Sequence, residues 1–302
     1  MSETPSLLRL LIDAGLFIDT GAPGLYGRSG AFEDVIDRID AAFVRAAGDD
    51  VTEVVRFPPG MNRGVFEKSG YLKSFPQLAG TVHAFCGAHG DHMELLEHLA
   101  AGEDWMGKQE PTEVVLTPAA CYPLYPVVAA RGPLAPEGGL FDLQSYCFRH
   151  EPSEDPARMQ MFRMHEMVRL GDPDQVLAFR AQWLERGQAL VASLELPFSL
   201  DLANDPFFGR GGKLMAAGQR AQQLKFELLV PIHSEEHPTA CFSFNYHQDH
   251  FGLTWDLKTA AGEVAHTACV GIGLERVAIA LFNQHGLTSA DWPPGVRKAL
   301  WG

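Results

Sequence analysis

Residues 148–167 read FRHEPSEDPARMQMFRMHEM, and the fold class turns on whether this stretch is a charged hairpin. Before it, FDLQSYCFRHE (141–151) suits a strand, which would put Arg149 and Glu151 on one face because strand side chains alternate with period two. PSEDPA is rich in turn residues, and RMQMFRMHEMVRLG (158–171) returns as a second strand with Arg158 and Arg163. An arginine neutralises a phosphate, and a carboxylate beside it accepts from the amino group of a base.

Outward from the hairpin, AFEDVIDRIDAAFVRAA (31–47) sets Phe32, Val35, Ile36, Ile39 and Phe43 on one helical stripe. VTEVVRF (51–57), TEVVLTP (112–118), KFELLVPI, ACFSFNYH and FGLTWDLK (251–258) read as strands, with a short helix and strand within 65–85. A long helix starts at Asp172, with Pro173 in its first turn and Gln175 completing a capping box. No linker, repeat or low-complexity tract divides the chain. The expected fold is therefore one α+β domain over residues 1–302, a mostly antiparallel sheet flanked by helices, with 1–60 as an N-terminal helical and strand extension.

At 302 residues, 46% hydrophobic and 21% charged, the chain can fill one large core. Its formal charge of −14 argues against a nucleic-acid wrapping role, which requires clustered Lys and Arg. Five cysteines without tight spacing suit a reducing compartment. LLRLLIDAGLF (7–17) is too short to cross a bilayer, contains Asp13 and follows acidic Glu3 without a basic leader. Cytoplasmic localisation and no membrane contact are the expectation.

GIGLER (271–276) places Gly271 and Gly273 ahead of a helix bearing Arg276. Alone it suits any tight strand-to-helix turn, because it lacks the third glycine and the Lys-Ser/Thr of the familiar phosphate loops. Glu166 falls in an alternating series with Phe162, Met164, Val168 and Leu170, and a carboxylate on an apolar face needs a cation or a proton. By spacing alone, Cys121 and Cys269 read more readily as small core residues than as metal ligands. The histidine-containing stretches CGAHGDHMELLEH (86–98) and HPTACFSFNYHQDH (237–250) lack zinc-finger spacing and read as loop and surface histidines.

Taken in order, these segments resemble the class II aminoacyl-tRNA synthetases. The second motif of that family is Arg-x-Glu, a loop and a strand with a further basic residue, and its third is Gly-x-Gly-x-x-Arg. KSGYLKSFPQL (68–78), with Gly70 and Pro76, is similar to the looser first motif, which builds a dimer interface there. LTPAACYPLY (116–125), LELPF (194–198) and KFELLVP (225–231) look seryl-like, with Cys121 where the amino-acid-binding glutamate would stand. That cysteine points to the methanogen-type seryl-tRNA synthetases, in which two cysteines and a glutamate hold zinc.

The resemblance implies the following roles. Arg149 and Arg276 are catalytic and, with Glu151, Arg158, Arg163, Met167, Glu227, Gly271 and Gly273, bind ATP. Met167 stands where an aromatic would pack on adenine, and Glu227 is the one identified acid for Mg²⁺. Cys121, Glu166 and Cys269 are zinc ligands, which with Asn245 receive the amino acid.

A seryl enzyme also carries a separate N-terminal tRNA-binding domain, and the first 60 or so residues here resemble at most a short remnant of one. The expected function is that of the amino acid:[carrier protein] ligases, covering approximately 50–300. Such enzymes activate a small amino acid, here glycine or alanine with serine possible, and transfer it to the phosphopantetheine thiol of a carrier protein. The expected partners are ATP with Mg²⁺, the amino acid, the carrier and a second copy of the chain, without tRNA. Alternatives are a truncated seryl-like enzyme charging tRNA and an inactive paralogue acting as a binding subunit. PFFGRGGKLMAAGQRAQQLKF (206–226) has no acid, so Arg210, Lys213, Arg220 and Lys225 are candidates for carrier docking, although a solvated helix face reads the same way.

Overall fold

The computed structural model describes residues 5–302 except Asp49 and Val51; the side chain of Arg210 also lies outside the described set. The chain opens with α1 (Leu7–Asp13), the hairpin β1 (Phe17–Ala22) and β2 (Leu25–Arg28), α2 (Gly30–Ala46) and β3 (Glu53–Arg56). β4 (Gly60–Asn62), α3 (Arg63–Lys68), α4 (Tyr71–Ser74), β5 (Thr81–Phe85), α5 (His89–Ala101) and β6 (Gln109–Leu116) form a lateral unit. Then come α6 (Leu124–Ala129), β7 (Gly139–Phe148), β8 (Met161–Gly171), α7 (Pro173–Ser193), β9 (Ser199–Leu202), α8 (Gly209–Ala221) and β10 (Lys225–Val230). β11 (Thr239–Gln248), α9 (His250–Trp255), β12 (His266–Gly273), α10 (Leu274–His285) and α11 (Pro294–Trp301) complete the order.

Seven strands form the central sheet in the order β3-β7-β8-β12-β11-β10-β9. Every neighbouring pair is antiparallel except β3 with β7, whose parallel pairing is made possible by the long lateral excursion between them. β3 and the stripe of α2 make residues expected as an extension part of the central layers: Phe32, Val35, Ile36, Ile39 and Phe43 are all buried. Each such side chain contributes about 1.5–3 kcal/mol of burial, which fixes α2 to the sheet. Ser29 caps the helix by accepting from the Phe32 amide at 3.4 Å.

α2, α7 and α10 all pack over one face of the sheet, meeting Met167, Phe242, Phe244, Ala268, Val270 and Ile272 in the main core. The α7 capping box is present as expected, with Asp172 Oδ1 accepting from the Gln175 amide at 2.9 Å. The opposite face packs Val168, Leu170 and Cys269 against α6 and α9.

FGLTWDLK is not a strand. α9 starts at His250, because Phe251 stacks on Tyr125 with centroids 4.0 Å apart and Gly252 passes so close to Ala265 that a Cβ would lie 2.1 Å from its carbonyl oxygen. Strand alternation would have buried Leu253 beside Phe251, whereas helical spacing leaves Leu253 64% exposed. The left-handed Asp256, at φ 57°, then ends the helix.

Candidate active site

The face of the sheet turned away from α2, α7 and α10 floors a cavity of about 530 Å³. Strand register places the floor in rows. Glu227, Ser243, Gly271 and Glu166 lie side by side across β10, β11, β12 and β8, and the next row runs Lys225, Asn245, Cys269. A one-residue slip of any strand would turn its members into the main core, so the burial pattern that folds the protein also sets the site.

At one end, Cys121, Glu166 and Cys269 each offer a donor atom, all within 4.8 Å of one another and all buried. Cys121 reaches the group from the segment after β6, where its amide donates to Glu166 Oε2 at 2.7 Å. Burial raises the Glu166 carboxyl well above its ordinary value, with Cys269 adding to the effect. The hydrogen bond between the thiols, then burial, raises Cys121. Cys269 is held well below the ordinary thiol value by that bond and by His247 and Asn245. Asn245 Nδ2 lies 3.4 Å and His247 Nε2 3.7 Å from its sulfur. Two sulfurs and a carboxylate oxygen are a donor set suited to Zn²⁺, and three ligands leave one position open.

Toward the other end lie two arginines. Arg276 donates from Nε to Ala157 O and from one terminal nitrogen to Ala240 O, both at 2.9 Å, leaving its second terminal nitrogen without a partner among the described residues. Burial, with Arg149 and Arg158 nearby, lowers its pKa. Arg149 donates from Nε to Pro118 O at 3.3 Å and lies over the ring of Phe162, 5.6 Å from the centroid. Beside them Lys225 Nζ bridges Asp205 Oδ1 at 2.5 Å and Glu227 Oε1 at 3.1 Å.

Several expected roles need correction. β7 ends at Phe148, so Arg149 and Glu151 are not strand neighbours: a tight turn follows, and Glu151 meets Arg158 at 3.7 Å in the connecting loop, outside the cavity lining. Arg163 and Met167 sit on the core side of β8. Arg163 pairs with Glu33 at 2.6 Å and Glu275 at 2.9 Å, and Met167 belongs to the main core. The aromatic of β8 that lines the cavity is Phe162, which shares the parity of Glu166.

Gly271 and Gly273 form no separate turn, since β12 runs straight into α10 and neither has positive φ. Lys225, expected on the surface, is a buried member of the cavity wall. Residues 68–78 form helical turns that contribute Gly70, Tyr71 and Phe75 to the cavity. Two histidines read as surface residues, His247 and His250, also line it. Asp205, in the irregular segment between β9 and α8, belongs to no motif or periodic run of the sequence. Its signal is faint, whereas His247 was visible as the next residue of matching parity after Ser243 and Asn245.

A mostly antiparallel sheet with helices on one face and a hairpin-lined cavity on the other is the fold of the class II aminoacyl-tRNA synthetases. Seryl-tRNA synthetase of Methanopyrus kandleri, solved with a tRNA, matches with a TM-score of 0.80 at 21% identity, over 98% of this chain and 60% of that one. The Pyrococcus horikoshii seryl enzyme solved with ATP matches at 0.71 and 15% identity, covering 100% and 64%. No family model matches the chain.

Among curated proteins, amino acid–[acyl-carrier-protein] ligase 2 of Bradyrhizobium diazoefficiens is 53% identical over 293 residues, 96% of this chain and 86% of that protein. Ligase 1 of the same organism is 50% identical over 289 residues, covering 94% and 87%. The chain belongs to the amino acid–[acyl-carrier-protein] ligase family.

Proposed function

We propose that the cavity binds ATP with Mg²⁺ and a small amino acid, joins them as an aminoacyl-adenylate, and transfers the aminoacyl group to the phosphopantetheine thiol of a carrier protein. The observation carrying this reading is the pairing, in one cavity, of the buried Cys121–Glu166–Cys269 group with the unneutralised guanidinium of Arg276. A triphosphate supplies the negative charge that Arg276 lacks among the described residues, Arg149 adds a second guanidinium beside it, and Phe162 offers a ring for the base.

With both substrates bound, a carboxylate oxygen of the amino acid attacks the α-phosphorus and pyrophosphate leaves. Arg149 and Arg276 hold the triphosphate bent and offset the charge that builds during attack. Cys121, Glu166 and Cys269 would hold zinc, which would supply a Lewis-acid contact for the substrate amino group. Asn245 and His247 steady Cys269, and Glu227 is the acid this reading assigns to Mg²⁺. This reading gives Glu151 and Arg158, in the loop beside the two arginines, contacts with the nucleotide. The carrier thiol then gives up its proton and attacks the adenylate carbonyl, forming a thioester and releasing AMP.

His247, Phe251 and Tyr122 line the cavity together with Cys121, Glu166 and Cys269, and glycine or alanine is the amino acid this reading favours, with serine next. Lys213 and Arg220 on α8 remain exposed and are the candidate cations for an acidic carrier. Homodimer formation, with 68–78 contributing to the interface, rests on the synthetase resemblance, and sedimentation or light scattering tests it. Among the described residues no helix is long and apolar enough to cross a membrane, and the five cysteines are unpaired, which supports a cytoplasmic placement.

Pyrophosphate exchange with each amino acid tests activation. Labelled amino acid offered to tRNA and to a phosphopantetheinylated carrier tests the acceptor, and charging of tRNA alone would overturn the reading. Charge reversal of Lys213 and Arg220 should lower transfer to the carrier relative to adenylate formation.

A further inference from the structure

α8 is tied to the cavity floor by a continuous polar chain. The Asp205 amide donates to Gln219 Oε1 at 2.7 Å, and Gln219 Nε2 donates to Asp205 Oδ2 at 2.8 Å. Asp205 Oδ1 accepts from Lys225 Nζ at 2.5 Å, and Lys225 reaches Glu227 Oε1 at 3.1 Å. Glu227 stands in the row that leads to Glu166, so helix and floor share one charge network.

The rest of α8 is weakly held. Gly211, Gly212 and Gly218 lie within it, and a glycine costs a helix about 1 kcal/mol relative to alanine. Gly212 cannot be replaced, because a Cβ would lie 2.5 Å from Phe207 O. Leu214 and Met215 are 78% and 50% exposed, so apolar burial does not anchor the outer side. At the N-terminal end, the Phe208 amide donates to Ser74 O at 2.9 Å and Phe207 stacks on Phe75 at 5.1 Å. The C-terminal half depends on Gln219, on the Arg220 bond to Asn204 Oδ1 at 3.1 Å, and on Gln222 with Gln248 at 3.1 Å.

We propose that Gln219, through Asp205, Lys225 and Glu227, makes the order of α8 respond to the nucleotide, so that this helix is held more firmly when the floor beneath it is loaded. The inference rests on the proposed function, in which Glu227 faces Mg²⁺. A cation near Glu227 competes for its carboxylate and repels the Lys225 ammonium toward Asp205. The fuller Lys225–Asp205 pair then holds the acceptor to which Gln219 is anchored. Lys225 is the switching element because it is shared between two carboxylates and cannot serve both equally once one gains a stronger partner. A helix with so little burial of its own is drawn from the low-stability end of the structure, where such coupling is readily expressed.

Hydrogen exchange of the full chain, with and without saturating Mg·ATP and without amino acid, tests this. In the wild type the amides of 213–222 should exchange about tenfold more slowly with Mg·ATP, a coupling of ordinary size. In Gln219→Leu they should exchange fast in both conditions, while the 149–160 loop still slows with nucleotide. Gln219→Glu keeps the side-chain length and sets a carboxylate against Asp205; it should behave alike and decides the matter if the leucine variant loses protection throughout. Equal α8 exchange with and without Mg·ATP in a wild type whose 149–160 loop responds overturns the coupling. So does an unchanged α8 response in Gln219→Glu. If neither segment responds to Mg·ATP, the nucleotide reading itself fails, and the inference with it.

Discussion

Gly271→Ala separates what the sheet needs from what the chemistry needs. A Cβ built on Gly271 would meet Glu166 Cγ at 3.5 Å, Ser243 Oγ at 3.6 Å and Glu166 Oε1 at 3.7 Å, all ordinary van der Waals contacts. Its φ lies outside the left-handed region, so alanine adopts this backbone without strain. Replacing a glycine at such a site restricts the unfolded chain and stabilises by about 0.4–1 kcal/mol. For a chain of this size that raises Tm by roughly 1–4 °C.

The methyl group would nevertheless project into the cavity from the middle of the Glu227–Ser243–Gly271–Glu166 row. If the reacting atoms lie over this row, between the amino-group end and the arginines, the methyl displaces them by about 1 Å, and misplacement on that scale costs about 10²-fold. Thermal unfolding followed by circular dichroism and amino-acid-dependent pyrophosphate exchange measure the two effects on one sample. Exchange within threefold of wild type would put the chemistry elsewhere. A fall in Tm of several degrees would show that the glycine serves the fold.

Arg276→Met should lower pyrophosphate exchange by about 10²–10³-fold, the range for removing one donor from a charge-stabilising site, and exchange close to wild type would remove Arg276 from catalysis. Metal analysis of purified Cys269→Ser should find zinc reduced from near one per chain to a small fraction, and unchanged zinc would return Cys269 to the core. Burial opposes the charge of Asp205, but Lys225 and Gln219 hold its carboxyl below the ordinary value. A lowered folded-state pKa stabilises above the unfolded carboxylate value and is lost as pH falls through the folded one. The Tm deficit of Asp205→Asn should therefore be largest near pH 7 and shrink below about pH 4, and a deficit independent of pH would show that ionisation plays no part.

The sequence was most informative where one periodicity governs. The α2 stripe, the α7 capping box and the alternation of β8 around Glu166 follow from spacing alone, and that alternation carries Glu166 to the two cysteines. The same rule exposes the errors. Glu166 and Met167 cannot face the same side of one strand, nor can Arg163 join Glu166, so parity already assigned both to the core and left Phe162 for the cavity. Lys225 could have been withdrawn from the surface on the same ground, since it shares parity with Glu227. What parity could not give lies in irregular backbone: the turn after Phe148, the helical 68–78 segment, and Asp205, which enters the cavity from a loop and owes its place to Lys225 and Gln219. α9 went unread because its deciding contact, the approach of Gly252 to the Ala265 backbone, joins residues with no pattern in common.

Parity also explains how an under-compensated site is tolerated. Residues of β8, β10, β11 and β12 alternate between a core that supplies the burial energy and a floor that carries Glu166, Cys269, Glu227 and Lys225. Unpaired buried charge costs several kcal/mol per ion, too much for a lone loop to bear. On a strand, each such residue is flanked in sequence by neighbours such as Met167, Ala268, Val270, Leu228 and Phe244, whose burial holds the backbone regardless of what the floor residue lacks. Substitutions on the floor should therefore change chemistry more than stability, and those on the opposite parity the reverse.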